Sequence, residues 1–185
     1  FLMTPANGCS GARYASSVKK FQCQNQSRDI VIPGTPNITM GTTYCEDYIF
    51  DEKKMGKVVR LFVEDFSHQF DLKELDVWSM LRGLHIEVSI IPKVVTAAYD
   101  MSGTLIESVP VNGLALSKSE IWVEVKTNQI WATSLAHELV HILIWHQNGG
   151  VHGDPDHEGR KFSGWSKKHT MFINRFNQSL FEMDI

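Results

Sequence analysis

Hydrophobic side chains recur at helical spacing in several stretches of the chain. Between residues 46 and 70 they fall every three or four positions, with acidic residues near the start, which predicts an amphipathic helix packed on a core. A shorter helix is predicted over Leu72 to Leu81, with Gly83 as its stop signal. A final helix is predicted toward the C-terminus, beginning near Ser163 or Ser166.

The pattern between these helices changes to alternation. Residues 84–90 alternate apolar and polar side chains, which places one face of a strand on the core and the other in water. Further short strands are predicted at residues 94–99, 104–109, 114–116 and 121–125. Together these segments predict a mostly antiparallel sheet of four or five strands.

The first part of the chain lacks a sustained period. Residues 1–43 are rich in Pro, Gly, Asn and Ser, and the apolar run at 30–32 is the one strand signal there. We therefore expect an N-terminal extension over residues 1–45 and a single main domain over residues 46–185. The predicted fold class is α+β, in which a helical part precedes the sheet, and a central helix and a C-terminal helix follow it.

A nearly all-apolar stretch, residues 134–146, carries the pattern His-Glu-x-x-His. An α-helix turns once per 3.6 residues, so His137 and His141 project from one face and can bind one cation between them. Glu138 then lies beside the metal, where it can take a proton from a metal-bound water whose pKa the ion lowers to roughly 7. The alternative is a pair of core histidines whose hydrogen bonds are satisfied without a metal.

A catalytic zinc ion usually has three protein ligands and one water, so a third donor is needed. The loop over residues 151–159 is crowded with possible donors. His157 lies sixteen positions after His141, which allows the loop to fold back onto the helix. Four other donors in this loop remain open as alternatives: His152, Asp154, Asp156 and Glu158.

These residues resemble the zincin metallopeptidases, in which an edge strand precedes a helix bearing His-Glu-x-x-His, and a loop and a second helix follow. The resemblance covers roughly residues 121–185, and His-Glu-x-x-His is its specific motif. It implies a zincin-like fold with Zn²⁺ as cofactor, His137 and His141 as ligands and Glu138 as general base. It also implies that residues 122–125 align an extended substrate by strand pairing.

The zincin subfamily stays open. The metzincin pattern has Gly and His where this chain has Ile144 and Gln147, which excludes that subclass. The segment 157–162 resembles the third-ligand segment of SprT-like zincins, with one residue more before its Phe. Asp154 would instead resemble the aspartate ligand of aspzincins, and His152 is the next alternative.

The same resemblance suggests a role for His169 on the predicted final helix. It would donate a hydrogen bond to the developing oxyanion, as Tyr or His does in many zincins. An exposed histidine without a catalytic role is the alternative.

The implied function is zinc-dependent hydrolysis of peptide bonds through a zinc-bound water that Glu138 activates. Two alternatives stay open. One is a SprT-like protease acting on DNA-bound protein, and the other is a non-catalytic secreted binding module with a structural metal.

Charge and composition narrow the expected partners. The formal net charge is −3 at pH 7, and no clustered basic face is evident, so nucleic acid is not expected. A protein or peptide substrate is the expected partner. No apolar run approaches the roughly 20 residues that span a bilayer, so no membrane span is expected.

The three cysteines, Cys9, Cys23 and Cys45, all lie in the first quarter of the chain. Their spacing does not match a zinc knuckle and favours one disulfide, preferably Cys23 with Cys45, and one free thiol. Small residues before Cys9 resemble a lipoprotein cleavage site. Both features favour a secreted, periplasmic or surface-anchored protein, and three reduced cysteines in a cytosolic protein are the alternative.

Overall fold

The computed structural model of the 185-residue chain describes residues 28–43, 51–89, 93–99, 105–124, 129–148 and 164–185. These residues form an α+β fold, as predicted. The strands are β1 (Arg28–Val31), β2 (Thr39–Thr43), β3 (His85–Ser89), β4 (Lys93–Tyr99), β5 (Leu105–Val111), β6 (Gly113–Ser117) and β7 (Glu120–Glu124). The helices are α1 (Glu52–Phe70), α2 (Glu74–Leu81), α3 (Leu135–Gln147) and α4 (Lys167–Glu182), with a 3-10 helix at Ile130–Ala132. The three cysteines and their predicted pairing lie outside the described ranges.

Five of these strands form a mixed sheet in the order β1-β2-β3-β7-β6. Strands β2, β3 and β7 run parallel, and β1 and β6 pair antiparallel with the strands beside them. The prediction of a mostly antiparallel sheet is therefore wrong for this sheet. The reason is that α1 and α2 connect β2 to β3, and a helical crossover brings the chain back in the same direction. Strands β4 and β5 form a separate antiparallel pair.

Two strands of the mixed sheet come from the predicted N-terminal extension. Both β1 and β2 lie within residues 28–43, and Ile32, Ile38 and Met40 in this segment are fully buried in the core. Strand β2 has the sequence Thr-Met-Gly-Thr-Thr, whose single large apolar side chain gives no alternating pattern. The boundary at residue 45 stays a prediction, because residues 44–50 lie outside the described ranges.

The predicted helices are confirmed with adjusted ends. Helix α1 lies within the predicted stretch 46–70, and the Asp51 carboxylate accepts hydrogen bonds from its first backbone N–H groups at 2.9 and 3.1 Å. Helix α2 ends at Leu81, and Gly83 follows with a φ of 72°, which glycine adopts without strain. Helix α4 begins directly after Ser166, one of its two predicted starts.

An aromatic cluster joins α1 to α4 and so fixes the position of the C-terminal helix. The ring of Phe62 lies edge-on to the rings of Phe172 and Phe176, with centroids 5.4 and 5.5 Å apart. Phe66 meets Phe172 in the same way at 5.2 Å. Because edge-to-face pairs favour a defined mutual orientation, this cluster sets where the first turn of α4 lies.

Helix α3 crosses the core and is buried along most of its length. The 3-10 helix separates it from β7, and Thr133 links the two helices. The Thr133 Oγ1 donates to the Ile130 carbonyl at 2.7 Å and accepts from the Leu135 N–H at 3.2 Å. These two hydrogen bonds of the Thr133 hydroxyl hold the 3-10 helix and the start of α3 together.

Candidate metal centre

The two motif histidines meet on one face of α3. The Nε2 atoms of His137 and His141 lie 3.1 Å apart, and His141 is buried while His137 is half-buried. Zinc–nitrogen bonds of about 2.0–2.1 Å in a tetrahedral arrangement would separate two ligand nitrogens by about 3.3 Å. The pair therefore fits two positions of a zinc site, and the same distance also fits a hydrogen bond between the two rings.

Glu138 lies almost fully buried beside this pair, with 1% of its surface exposed. One carboxyl oxygen, Oε2, has no hydrogen-bond partner within the described part of the chain. Burial raises the pKa of Glu138 to about 8, and a hydrogen bond with the backbone of Ala115 lowers it in part. A carboxyl group with a pKa near neutrality can both accept and return a proton, which suits acid–base chemistry.

Strand β6 holds Glu138 from the side of the sheet. A Cβ atom at Gly113 would lie 2.6 Å from Glu138 Oε1 and would also overlap Ser134 Oγ. That hydroxyl donates to the Asn112 carbonyl at 2.8 Å. A side chain at 113 would therefore displace both Glu138 and Ser134 from these positions.

The Trp165 ring packs against both His137 and His141. Its ring centroid lies 5.1 Å from that of His137 and 4.9 Å from that of His141, and the residue is buried. The indole Nε1–H donates to Thr170 Oγ1 at 3.0 Å. The imidazoles thus face an apolar surface that is itself held by a hydrogen bond.

His169 is buried in the first turn of α4, so the alternative of an exposed histidine is wrong. Its Nδ1 accepts from the Ser166 N–H at 3.0 Å, and its ring stacks on Phe70 with centroids 4.5 Å apart. Burial, with a smaller contribution from the neighbouring Lys168 ammonium, lowers the pKa of His169 to about 4. With Nδ1 engaged in the helix cap, Nε2 is the nitrogen that would donate to an oxyanion, and that catalytic role stays a prediction.

The predicted third ligands lie outside the described residues: His157, His152, Asp154, Asp156 and Glu158. Within the described ranges, no group of three or more His, Cys, Asp or Glu side chains could hold a metal ion. The residues that flank this segment are nevertheless placed. A Cβ at Gly164 would lie 2.8 Å from Ile144 Cγ2, and Trp165 contacts the histidines, so the described residues that follow residue 163 lie beside α3.

The strand that the resemblance assigns to substrate alignment is not at the edge of the sheet. Strand β7, which includes Trp122, has β3 on one side and β6 on the other, so it is not an edge strand. Strand β6 is the last strand of the described sheet at that end, and it lies against α3. Any strand pairing next to the histidine helix would therefore use β6.

Three residues of the site were not among the sequence candidates: Gly113, Ala115 and Trp165. The Asn-Gly pair at 112–113 is a signal for a turn, and it gives no indication that the strand after it contacts a carboxylate. A buried tryptophan on an amphipathic segment has the same pattern as any core residue.

Comparison with known proteins adds no family to this geometry. No family model, no curated protein and no solved structure matches the chain. Among the described residues, no helix is both long enough and apolar enough to cross a membrane.

Proposed function

We propose that this chain is a zinc-dependent peptidase of the zincin type. The observation that carries the proposal is the arrangement on α3, where two imidazole Nε2 atoms lie 3.1 Å apart beside a buried carboxyl group. A core histidine pair would need no such carboxyl group. A buried carboxyl oxygen without a partner destabilises the fold, and a catalytic role or a bound ion is the usual reason why such a group is kept.

His137 and His141 would hold the zinc ion, and the segment 149–163 would supply the third ligand. His157 is the first candidate, with Asp154 and His152 next. The support is that Gly164 lies beside α3 and that the seven Cα–Cα steps from residue 157 to Gly164 span at most about 25 Å. A zinc ion held there would lower the pKa of a water molecule and polarise a peptide carbonyl.

Glu138 would carry the proton transfers. Its carboxylate would accept a proton from the attacking water and then pass it to the nitrogen of the leaving amine. The pKa of about 8 that burial produces suits the second step, and a nearby cation would favour the carboxylate needed for the first.

An extended peptide would bind along β6, next to Glu138. Backbone groups on the outer side of an edge strand can pair with a peptide, and the substrate carbonyl would then lie close to the acid–base group. His169 remains the candidate for stabilising the oxyanion.

The decisive variant is Glu138→Gln, which is nearly isosteric and cannot transfer a proton. We expect it to bind about one zinc per chain and to lose roughly 100- to 10,000-fold of its peptide cleavage, which is the usual range for a general base. Zinc would be measured by atomic emission, and cleavage of a diverse peptide mixture by mass spectrometry. Full activity in this variant would rule out the mechanism.

Single alanine variants at His157, Asp154 and His152 would identify the third ligand. One of the three should lose zinc, while the other two keep it. Stoichiometric zinc without hydrolysis of any peptide in the mixture would instead favour the non-catalytic binding module with a structural metal.

A further inference from the structure

We infer that Trp165 is a positioning residue that sets the orientation of the two candidate zinc ligands. The inference rests on the proposed metal site and adds to it a residue that binds no metal. Its role is to hold the two imidazole rings so that both Nε2 atoms point to the same place.

The indole lies across both rings at once. Its plane is inclined by 45° to the His137 ring and by 41° to the His141 ring, at nearly equal centroid distances of 5.1 and 4.9 Å. The two imidazoles are inclined to each other by 67°. A single flat group that touches both rings with this symmetry restricts the second side-chain torsion of each histidine, which is otherwise broad.

The indole is itself held from two sides. Its Nε1–H bonds to Thr170 Oγ1 at 3.0 Å, within the first turn of α4, and the aromatic cluster with α1 fixes that helix. On the other side Gly164, with a φ of 71°, lets the backbone approach Ile144 so closely that a Cβ atom would lie 2.8 Å from Cγ2. The indole is therefore held by contacts that do not depend on the histidines.

Loss of this support should lower the affinity of the site for zinc. Residues that orient metal-binding histidines without touching the metal typically change affinity by 10- to 100-fold when they are replaced. An apolar wall also keeps water away from one side of the imidazoles, which strengthens their interaction with a cation.

The test measures zinc affinity of the full chain by competition with a chromophoric chelator. The variants are Trp165→Leu, which removes the wall, and Thr170→Val, which keeps the indole and removes the acceptor of its Nε1–H. Trp131→Leu is the matched control, because Trp131 packs edge-on against Phe181, at 5.0 Å, on another surface of α4.

A second readout separates positioning from general stability. Cobalt(II) would replace zinc, and its visible absorption bands report the geometry of the ligands. We expect Trp165→Leu to weaken zinc binding at least about 10-fold and to shift the cobalt bands, Thr170→Val to do both to a smaller extent, and Trp131→Leu to do neither.

Unchanged zinc affinity and unchanged cobalt bands in a folded Trp165→Leu variant would overturn the inference. If that variant does not fold, the same null result in Thr170→Val would overturn it. A parent chain that binds neither zinc nor cobalt would overturn the proposed function and the inference together, whereas zinc binding with no effect of either variant would overturn the inference alone.

Discussion

Helix α3 carries the candidate ligands and the candidate base on two sides, and different parts of the chain contact them. On one side His137 and His141 lie against Trp165, which belongs to the segment that leads into α4. On the other side Glu138 lies against Gly113 and the backbone of β6. The contacts that support the candidate ligands therefore differ from those that support the candidate base, so we expect removal of a supporting contact on one side to disturb the other side less than its own.

The largest expected effect is on the ligand side. His137→Ala removes one of the two paired Nε2 atoms and should weaken zinc binding by more than about 100-fold, because the loss of a ligand exceeds the loss of an orienting residue. The chelator competition assay measures it. His146→Ala is the control on the same helix, since its Nε2 lies 3.2 Å from the Lys118 carbonyl. Equal loss of zinc in both variants would contradict the assigned ligand face.

The next effect is on the base side. Gly113→Ala forces a methyl group against Glu138 and Ser134, so kcat should fall by up to about 100-fold, with zinc affinity unchanged. Overpacking should also lower the free energy of unfolding by about 1–3 kcal/mol. Activity, zinc affinity and urea unfolding would be measured on one preparation.

The control for this variant is Gly83→Ala. Gly83 has a φ of 72° and nothing within 4 Å of its Cβ position, so alanine there costs about 1–2 kcal/mol through backbone strain alone. A loss of kcat in Gly83→Ala equal to that in Gly113→Ala would mean that lowered stability, not displacement of Glu138, is responsible.

The third effect concerns His169 in α4 and the pH dependence of the free energy of unfolding. The pKa of His169 is about 4 in the folded chain against an ordinary value of 6.5, so the unfolded chain takes up the proton first. The stabilising contribution is fully present above pH 6.5 and is lost as the pH falls toward 4. After allowance for solvent screening it amounts to about 1–2 kcal/mol.

His169→Gln removes this titration and keeps an acceptor for the Ser166 N–H, since glutamine is a common partner in such caps. The free energy of unfolding, measured by urea at pH 7.5 and pH 5, should therefore fall less in the variant than in the parent chain. Parallel pH profiles for the two chains would refute the assignment.

The smallest expected effect concerns Asp51 at the start of α1, which lies outside the candidate site. Asp51→Ala removes the carboxylate that caps α1 and should cost about 1 kcal/mol of unfolding free energy. Zinc affinity and kcat should stay the same. A change in either would mean that the α1–α4 packing transmits strain to the site, and the two sides of α3 would then not be independent.

The sequence predicted the elements that carry a strong local pattern. Helices α1 and α4 and strand β3 have regular apolar spacing, and the structure contains all three. The histidine spacing of one helical turn also predicted that His137 and His141 would meet, and they do. These features depend on neighbours in the sequence, which a pattern can reveal.

The rest depends on contacts between distant segments. Strand β2 contains Met40 as its one large apolar residue and gains its place by pairing with β3, so the mixed sheet had no local signal. The approach of Gly113 to Glu138 and of Trp165 to the histidines arises only when β6, α3 and α4 pack together. The burial of His169 is of the same kind, because the ring that stacks on it, Phe70, lies at the end of α1.

The aromatic cluster between α1 and α4 has a consequence for the order of folding. Phe62 and Phe172 lie far apart in the sequence, so a large loop must close, at a cost in conformational entropy, before they can meet. During synthesis the His-Glu-x-x-His helix emerges before α4, which carries the anchor of Trp165. On the role inferred for Trp165, a nascent chain would complete the candidate site only after α4 has docked on α1.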